Sequence, residues 1–337
     1  MTRTRLLFDS LVYHGRSHLA VGLGAAVGAA VLAGALLVGD SLRGSLRDRA
    51  DRQLFGTEHA LVGGRFFREQ LAAELPGGVK PVILLQGTVT AGDRRQGRVT
   101  VLGVDDRFGL GEYTPTGTSA TVADALARSL DLKPGIPIRV TVQKSSAVPR
   151  SSAFAKRDTG AATQSIELTA DRLLPPGHPA GEFTLSPGPA TPLNLIVPLR
   201  LLQQAVDQPG RVNCLLSPPQ PLQPLQDELA RHLTLDDWEL KVHVARNRKV
   251  YISVESRRLI LEPAAVEAAT QAATDLKAQA APTFVYLANS IAANGAEIPY
   301  SVVAGVDPSI DTWAFPPTAG PVADDQLVLV DWNESPL

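Results

Sequence analysis

Leu19 to Val38, LAVGLGAAVGAAVLAGALLV, runs for twenty residues without a charge, Pro, Asn or Gln, the length a helix needs to cross the hydrocarbon core of a bilayer. Lipid offers the backbone no hydrogen bonds, so an uncharged run of this length is accommodated as a transmembrane helix, which pairs its N–H and C=O groups internally. A signal peptide carries a shorter apolar core, about 7 to 15 residues, before a small-residue cleavage site. A buried helix of a soluble protein is flanked by an amphipathic pattern. Neither fits. Gly24 and Gly28 stand four apart on one face, and Ala30 and Gly34 repeat the spacing. Small residues so placed let a second helix approach closely enough to gain packing energy in lipid. Gly24, Gly28, Ala30 and Gly34 are therefore the candidate helix-packing residues. The span is expected to pack against other transmembrane helices, a homodimer being one such arrangement.

Before the span, Leu7, Phe8, Leu11 and Val12 share a face at helical spacing among Arg3, Arg5 and Arg16, which predicts an amphipathic helix in the headgroup region over residues 1–18. After it, Leu42, Leu46 and Leu54 recur at multiples of four amid alternating charges, as in a solvated stalk helix over 40–54. Arginines flank both ends of the span, with Arg43, Arg47, Arg49 and Arg52 on the far side, so the positive-inside rule leaves orientation open.

A formal net charge of -2 and 44% hydrophobic residues exclude a disordered chain and a basic nucleic-acid binder. Roughly two domains with their own cores fit in the remainder. The single cysteine, Cys214, allows neither an intrachain disulfide nor a cysteine metal cage. His14 and His18, at helical spacing, read as interfacial residues. No GxxxxGK[ST], HExxH or GxSxG occurs, so no phosphate cradle, zinc helix or nucleophile elbow is encoded. The acid pairs Asp105/Asp106, Asp236/Asp237 and Asp324/Asp325 stand where turns are expected, which suits Asp as a turn residue better than acid–base chemistry. Arg257 and Arg258 read as a solvated or interface pair. No catalytic, cofactor-binding or metal residue is expected.

From His59 onward, short β-branched runs are broken by Gly and Pro. Val79–Thr90 and Arg98–Val104 predict a hairpin, Thr121–Leu130 a helix and Ile136–Gln143 a strand. Residues 144–192, rich in Ser, Pro, Gly and Ala, predict an irregular solvent-facing insertion, with strands only at Gln164–Leu174 and Glu182–Leu185. Strands at 193–198, 212–216, 238–244 and 250–254 then alternate with helices at 199–206 and 222–232, the pattern of a mixed α/β unit. An Ala-rich spacer helix follows over about 262–279, packed on one side through Val266, Ala269, Ala273 and Leu276.

PVILLQGTVTAGDRRQGRVTVLGVD from Pro81 and PTFVYLANSIAANGAEIPYSVVAGVD from Pro282 carry one arrangement twice: strand, Gly-bearing turn, strand, Gly-Val-Asp. An internal duplication is expected, with SATVADALARSL and DQLVLVDWNESPL as matching continuations. The chain is expected to end inside the second copy.

The block LLFDSLVYHGRSHLAVGLGAAVGAAVLAGALLVGDSLRGSL resembles the first membrane helix of FtsX-like ABC transporter permeases. PVILLQGTV with VTVLGVD, VADALARSLDLKPG and NLIVPLRLLQQAVDQPGRVNCLL resembles the MacB-like periplasmic core. The resemblance covers about two thirds of the chain as an ordered set of blocks. It implies a cytoplasmic amino terminus, an extracytoplasmic main domain, residence in the cell inner membrane and a separate ABC ATPase subunit as partner. Three further helices usual in that family have no counterpart here, Asp275 and Lys277 interrupting the Ala-rich stretch, so an amino-terminal fragment of a permease is expected.

The expected fold class is mixed α+β: one N-terminal transmembrane helix followed by an extracytoplasmic region of mixed sheets. The segments are 1–18 amphipathic, 19–39 transmembrane, 40–54 stalk, 55–254 core, 255–280 spacer and 281–337 the start of a second core-like unit. The expected function is that of the membrane subunit of an ABC system for export, lipoprotein release or mechanotransmission, with no enzyme activity or cofactor and no nucleic-acid partner. A single-span anchored binding or scaffold module is the alternative from another class, and a secreted enzyme behind an uncleaved anchor is the third.

Overall fold

A computed structural model describes residues 3–143, 163–246, 250–258, 260–293, 295–306 and 328. Two compact units divide it at Leu233/Thr234.

The first unit opens with α1 (Arg3–Tyr13), which breaks at His14, and α2 (Gly15–Leu54). The expected transmembrane and stalk segments are thus one unbroken helix of 40 residues, about 60 Å at 1.5 Å per residue. Its apolar window has no residue buried against the rest of the chain. There follow β1 (His59–Arg68), the single turn α3 (Leu71–Glu74), β2 (Lys80–Ala91), β3 (Arg94–Val104), β4 (Ser119–Val122), α4 (Asp124–Leu130), β5 (Ile136–Gln143), β6 (Thr163–Leu173), β7 (Asn194–Pro198), α5 (Leu199–Ala205), β8 (Arg211–Ser217) and α6 (Leu222–His232).

Six strands close on themselves: β2 pairs with β3, β3 with β7, β7 with β4, β4 with β6, β6 with β5, and β5 with β2 again. The β3–β7 and β4–β6 pairs are parallel and the others antiparallel. Strand β2 makes closure possible by serving two neighbours on one edge. Its start, Lys80–Val82, pairs with β8, and its end, Gly87–Thr90, pairs with β5. The register shifts between Gly87 and Val89, and a bulge of this kind bends a strand out of one sheet into another. Gly87 sits at the bend because a Cβ there would lie 2.9 Å from the Thr141 carbonyl oxygen of β5. Strands β8 and β1 extend from the other half of β2.

The ring encloses Val89, Val99, Val101, Val122, Val140 and Leu195, and α4 and α5 add Leu126, Leu130, Leu199 and Leu202 to the same core. A second, smaller core collects Val82, Leu102, Val104, Ile196, Cys214 and Leu216 with Phe108 and Phe183. Strands β2 and β3 contribute to both cores, which is why PVILL and VTVLGV read as near-continuous apolar runs rather than alternating ones.

Within this unit three expectations are corrected. Ser119–Val122 is a strand and the helix begins only at Asp124, because Thr121 is buried and its hydroxyl donates to the Tyr113 carbonyl (2.6 Å). The strand expected at Gln164–Leu174 is present as β6, but it is not solvent-facing: it pairs with both β4 and β5 and buries Leu168 and Ala170. Residues 144–162 lie outside the described residues. Glu182–Leu185 is no strand, since a 3-10 turn spans Pro179–Glu182 and an irregular loop follows.

The second unit carries β9 (Leu240–Arg246) paired with β10 (Val250–Ser256), α7 (Pro263–Asp275), and β11 (Thr283–Ala293) paired with β12 (Ala296–Val306). Residues 234–254, expected within the first core, fall in this unit, and among the described residues β9 and β10 pair only with each other. Helix α7 half-covers Ala269 and Ala273 while Val266 is exposed. The continuation from Asp325 lies outside the described residues apart from Val328.

Leu202 of α5 lies over Gly103 of β3, where a Cβ would stand 2.9 Å from its Cδ2 and 3.3 Å from the Cβ of Ile83. Gly103→Ala is expected to destabilise by about 1–3 kcal/mol through overpacking, and Leu202→Ala by about 2–5 kcal/mol through a cavity. The double variant is expected to cost less than the sum. Urea unfolding of the detergent-solubilised chain measures all three.

Candidate functional site

Where α2 leaves its apolar window it has to be joined to the sheet, and the joint is built from its last turn. Phe55 follows the helix with φ 50 and ψ 46, its N–H donating to the Arg52 carbonyl, and Gly56 continues at φ 70. Two successive left-handed residues reverse the chain into β1. A left-handed conformation is unfavourable for a bulky side chain by about 1–2 kcal/mol, and the Phe55 ring offsets this by stacking on Phe108 at 5.2 Å. Phe108 in turn meets Phe183 edge-on at 5.7 Å, so the helix end is tied into the smaller core through three aromatic rings.

Gln53 supplies the polar half of the joint. It is 1% exposed. Its amide nitrogen donates to the Gly188 carbonyl (3.2 Å), and its amide oxygen accepts from the Gly188 N–H (3.0 Å). Its own carbonyl accepts from the Thr184 N–H (2.9 Å). A carbonyl in the last turn of a helix has no intrahelical partner, and Thr184 fills that place. One turn earlier, Arg49 donates to the Pro189 carbonyl (2.9 Å). The loop is positioned from behind by buried Asn194 of β7, whose amide nitrogen donates to the carbonyls of Gly181 (3.2 Å) and Phe183 (2.8 Å).

Lys80, at the start of β2, completes the joint. Its ammonium lies 5.6 Å from the Phe55 ring centre and 5.8 Å from that of Phe108, and donates to the Phe108 carbonyl (3.2 Å). Burial pushes its pKa below the ordinary 10.5, because a charged amine loses hydration there. Elsewhere burial pushes the Cys214 thiol up to about 12, so it stays protonated and unreactive at neutral pH.

The four helix-packing candidates all lie on α2, and a Cβ at Gly24, Gly28 or Gly34 would meet nothing within 4 Å. At about 100° per residue, Gly24 and Gly28 form one stripe and Ala30 and Gly34 another, their centres about 120° apart. Gly24 with Gly28 and Ala30 with Gly34 thus lie on two separate stripes of α2. His14 and His18 stack edge-on at 6.3 Å. Among the described residues no group of three or more His, Cys, Asp or Glu could hold a metal ion.

The acid pairs that are described sit in turns. Asp105 accepts from the Arg107 N–H (3.0 Å) and pairs with its guanidinium, and Asp237 accepts from the N–H and hydroxyl of Thr234 (both 2.9 Å). Asp324/Asp325 lies outside the described residues. Arg257 pairs with Asp236, and Arg258 with Glu239 (2.7 Å) and Glu262 (3.8 Å).

Sequence reasoning missed Gln53, Phe55, Lys80, Phe108, Phe183 and the 184–189 loop. Two signals were present: Gln53 is an uncharged residue closing a charged run, and Phe-Gly at a helix end marks a left-handed cap.

Gln53→Leu is expected to lower stability by about 1 kcal/mol, because the half-buried N–H and C=O of Gly188 lose their partners. Thermal melting in detergent measures it. The folded pKa of Lys80 lies below its unfolded value, so the fold penalises the charged form. Stability is expected to rise as pH climbs from the folded pKa towards 10.5, the direction set by the unfolded state binding more protons in that window. In Lys80→Met that rise is expected to flatten, read from denaturation midpoints between neutral and alkaline pH.

No protein-family model matches the chain, and no curated protein matches it. Among solved structures, the chain is similar to the periplasmic region of MacB from Actinobacillus actinomycetemcomitans, at 8% identity and TM-score 0.34, covering 68% of this chain and 98% of that one. It is also similar to the extracellular domain of the noncanonic ABC-type transporter YknZ from Gram-positive bacteria, at 10% identity and TM-score 0.33, covering 53% of this chain and 92% of that one. Like the fold expected from the sequence, this one is mixed α+β, with one N-terminal apolar helix long enough to span a membrane and a sheet-rich region after it.

Proposed function

We propose that this chain is the membrane subunit, or the amino-terminal part of one, of an ABC transporter system in which a separate cytoplasmic ATPase displaces an extracytoplasmic domain. One observation carries the reading: a single helix of 40 residues runs unbroken from an apolar window to a sheet domain that grips its last turn through Gln53 and Phe55. About 20 residues cover the bilayer core, leaving Gly39–Leu54 to rise about 24 Å beyond it. A helix fixed at one end and continuous through the membrane transmits a displacement without a joint to absorb it.

In this reading α1 lies on the cytoplasmic surface of the inner membrane, and the break at His14 lets it follow the ATPase. Gly24 with Gly28 and Ala30 with Gly34 seat two neighbouring helices, one of them from a second copy in a homodimer. The chain contributes motion rather than chemistry, consistent with a sequence that encodes no phosphate cradle. Export, lipoprotein release and mechanotransmission all use such a displacement.

Co-purification of the membrane-embedded chain with candidate ATPases is expected to yield a complex whose ATP turnover changes on binding. Absence of any association for the natural gene product overturns the reading in favour of an anchored scaffold. Replacing Leu46 and Arg47 by Pro and Gly interrupts the helix outside the membrane, at about 3 kcal/mol for the proline alone. ATP turnover is expected to persist in that variant. Fluorescence energy transfer between α1 and the sheet domain is expected to stop responding to ATP.

A further inference from the structure

Strand β9 reads LKVHVAR, and β10 runs antiparallel to it in one unshifted register, with Val242 opposite Val254 and Val244 opposite Ile252. Side chains alternate along a strand, so these four residues share one face of the hairpin. Val242, Val244 and Ile252 are 50%, 45% and 59% exposed there, and Val254 is half-buried. The other face carries Lys241, His243 and Ala245, and Ala245 is buried. It is the valine face that meets water.

The outer edge of β9 is open as well. Among the described residues β9 pairs with β10 and with no further strand, and beyond that ladder its first residue alone is tied, the Leu240 N–H donating to the Leu235 carbonyl (2.8 Å). The strand contains no acidic residue. Lys241 and Arg246, near its two ends, are exposed, and among the described residues neither pairs with a carboxylate. Glu255, which stands opposite Lys241, accepts from the Ser253 hydroxyl (2.7 Å) instead.

Natural edge strands are kept from pairing by a central charge, a proline or a bulge. From Val242 to Ala245 β9 carries no acid, lysine, arginine or proline, and its register with β10 is continuous. We propose that this edge is a docking site for an extended acidic segment of a partner protein, which adds to β9 as a third strand. The added strand bonds to the β9 backbone, lays alternate apolar side chains beside Val242 and Val244, and brings carboxylates to Lys241 and Arg246. A second copy of this chain fits less well. Antiparallel pairing of β9 with itself brings Lys241 of one copy beside Arg246 of the other, and facing like charges are destabilising. Such docking operates in a transporter subunit and in an anchored scaffold alike.

The probe is a short labelled peptide of alternating valine and threonine with glutamate at both ends, added to the full chain in detergent, with a control in which lysine replaces glutamate. Fluorescence anisotropy is expected to show about tenfold tighter binding of the glutamate peptide. Amide hydrogen exchange over residues 240–246 is expected to slow about tenfold in its presence. The double variant Lys241→Glu, Arg246→Glu changes only exposed side chains and is expected to reverse the preference between the two peptides. N-methylation of the peptide amides, which keeps charge and side chains, is expected to abolish binding. Equal affinity for the two peptides, a preference unmoved by the charge reversal, or undiminished binding of the N-methylated peptide would each overturn the proposal. So would protection of 240–246 that grows with chain concentration in the absence of peptide, which assigns the edge to a second copy. Protection that appears on adding phosphatidylglycerol to the micelles assigns the valine face to lipid and overturns it equally.

Discussion

A helix whose apolar window touches nothing in its own chain can be positioned only at its ends, and in this protein one buried glutamine carries most of that task. Gln53 is placed by α2 yet hydrogen-bonds as though it belonged to the sheet domain, giving and accepting with Gly188 and receiving Thr184. An amide suits this position because it offers donor and acceptor together, and the backbone of residue 188 presents both. A carboxylate or an ammonium would satisfy one and leave the other, half-buried, without that partner. The aromatic stack beneath it adds apolar contact, but the hydrogen bonds fix the angle at which the helix arrives.

That arrangement depends in turn on closure of the six-stranded ring. The loop that receives Gln53 is anchored by Asn194, the first residue of β7, and β7 lies between β3 and β4 in the ring. The ring closes only because β2 exchanges β8 for β5 across a bulge at Gly87. Local features far apart in sequence thus combine: a glycine at residue 87, an amide at 194 and an amide at 53 set one joint.

Much of the scaffold was legible in the sequence, and the reasons differ by element. The apolar helix from Leu19 was readable because an uncharged run of that length has few accommodations other than a continuous helix. The hairpin from Pro81, the strand Ile136–Gln143 and the helix Leu222–His232 were readable because their local patterns agree with their surroundings. Ser119–Val122 was not, since its strand character comes from β6 and β7, which lie 41 or more residues away in sequence. The strand at 164–174 was readable but its place in the core was not, because its neighbours in sequence are rich in Ser and Pro while its neighbours in space are β4 and β5. The joint itself was invisible for a related reason. A glutamine at the end of a charged run reads as solvent-facing, and only the loop at 184–189, more than 130 residues later, buries it.

The composition of α2 explains why its two ends are treated so differently. Within the apolar stretch Gly22, Gly24, Gly28 and Gly34 would each weaken a helix in water by about 1 kcal/mol relative to alanine. In hydrocarbon such weakness is suppressed, because opening a helix leaves backbone groups with no water to bond. After the apolar window the sequence changes: only Gly39 and Gly44 remain, and charges at helical spacing support the exposed turns, as between Asp40 and Arg43. The last turn, where fraying is easiest, is the one held by Arg49, Gln53 and the Phe55 cap. The sheet domain holds the helix at one end, and the apolar window at the other is of the length and composition that lipid stabilises, so the stretch between them is the part that must stay stiff through its own side-chain pairs.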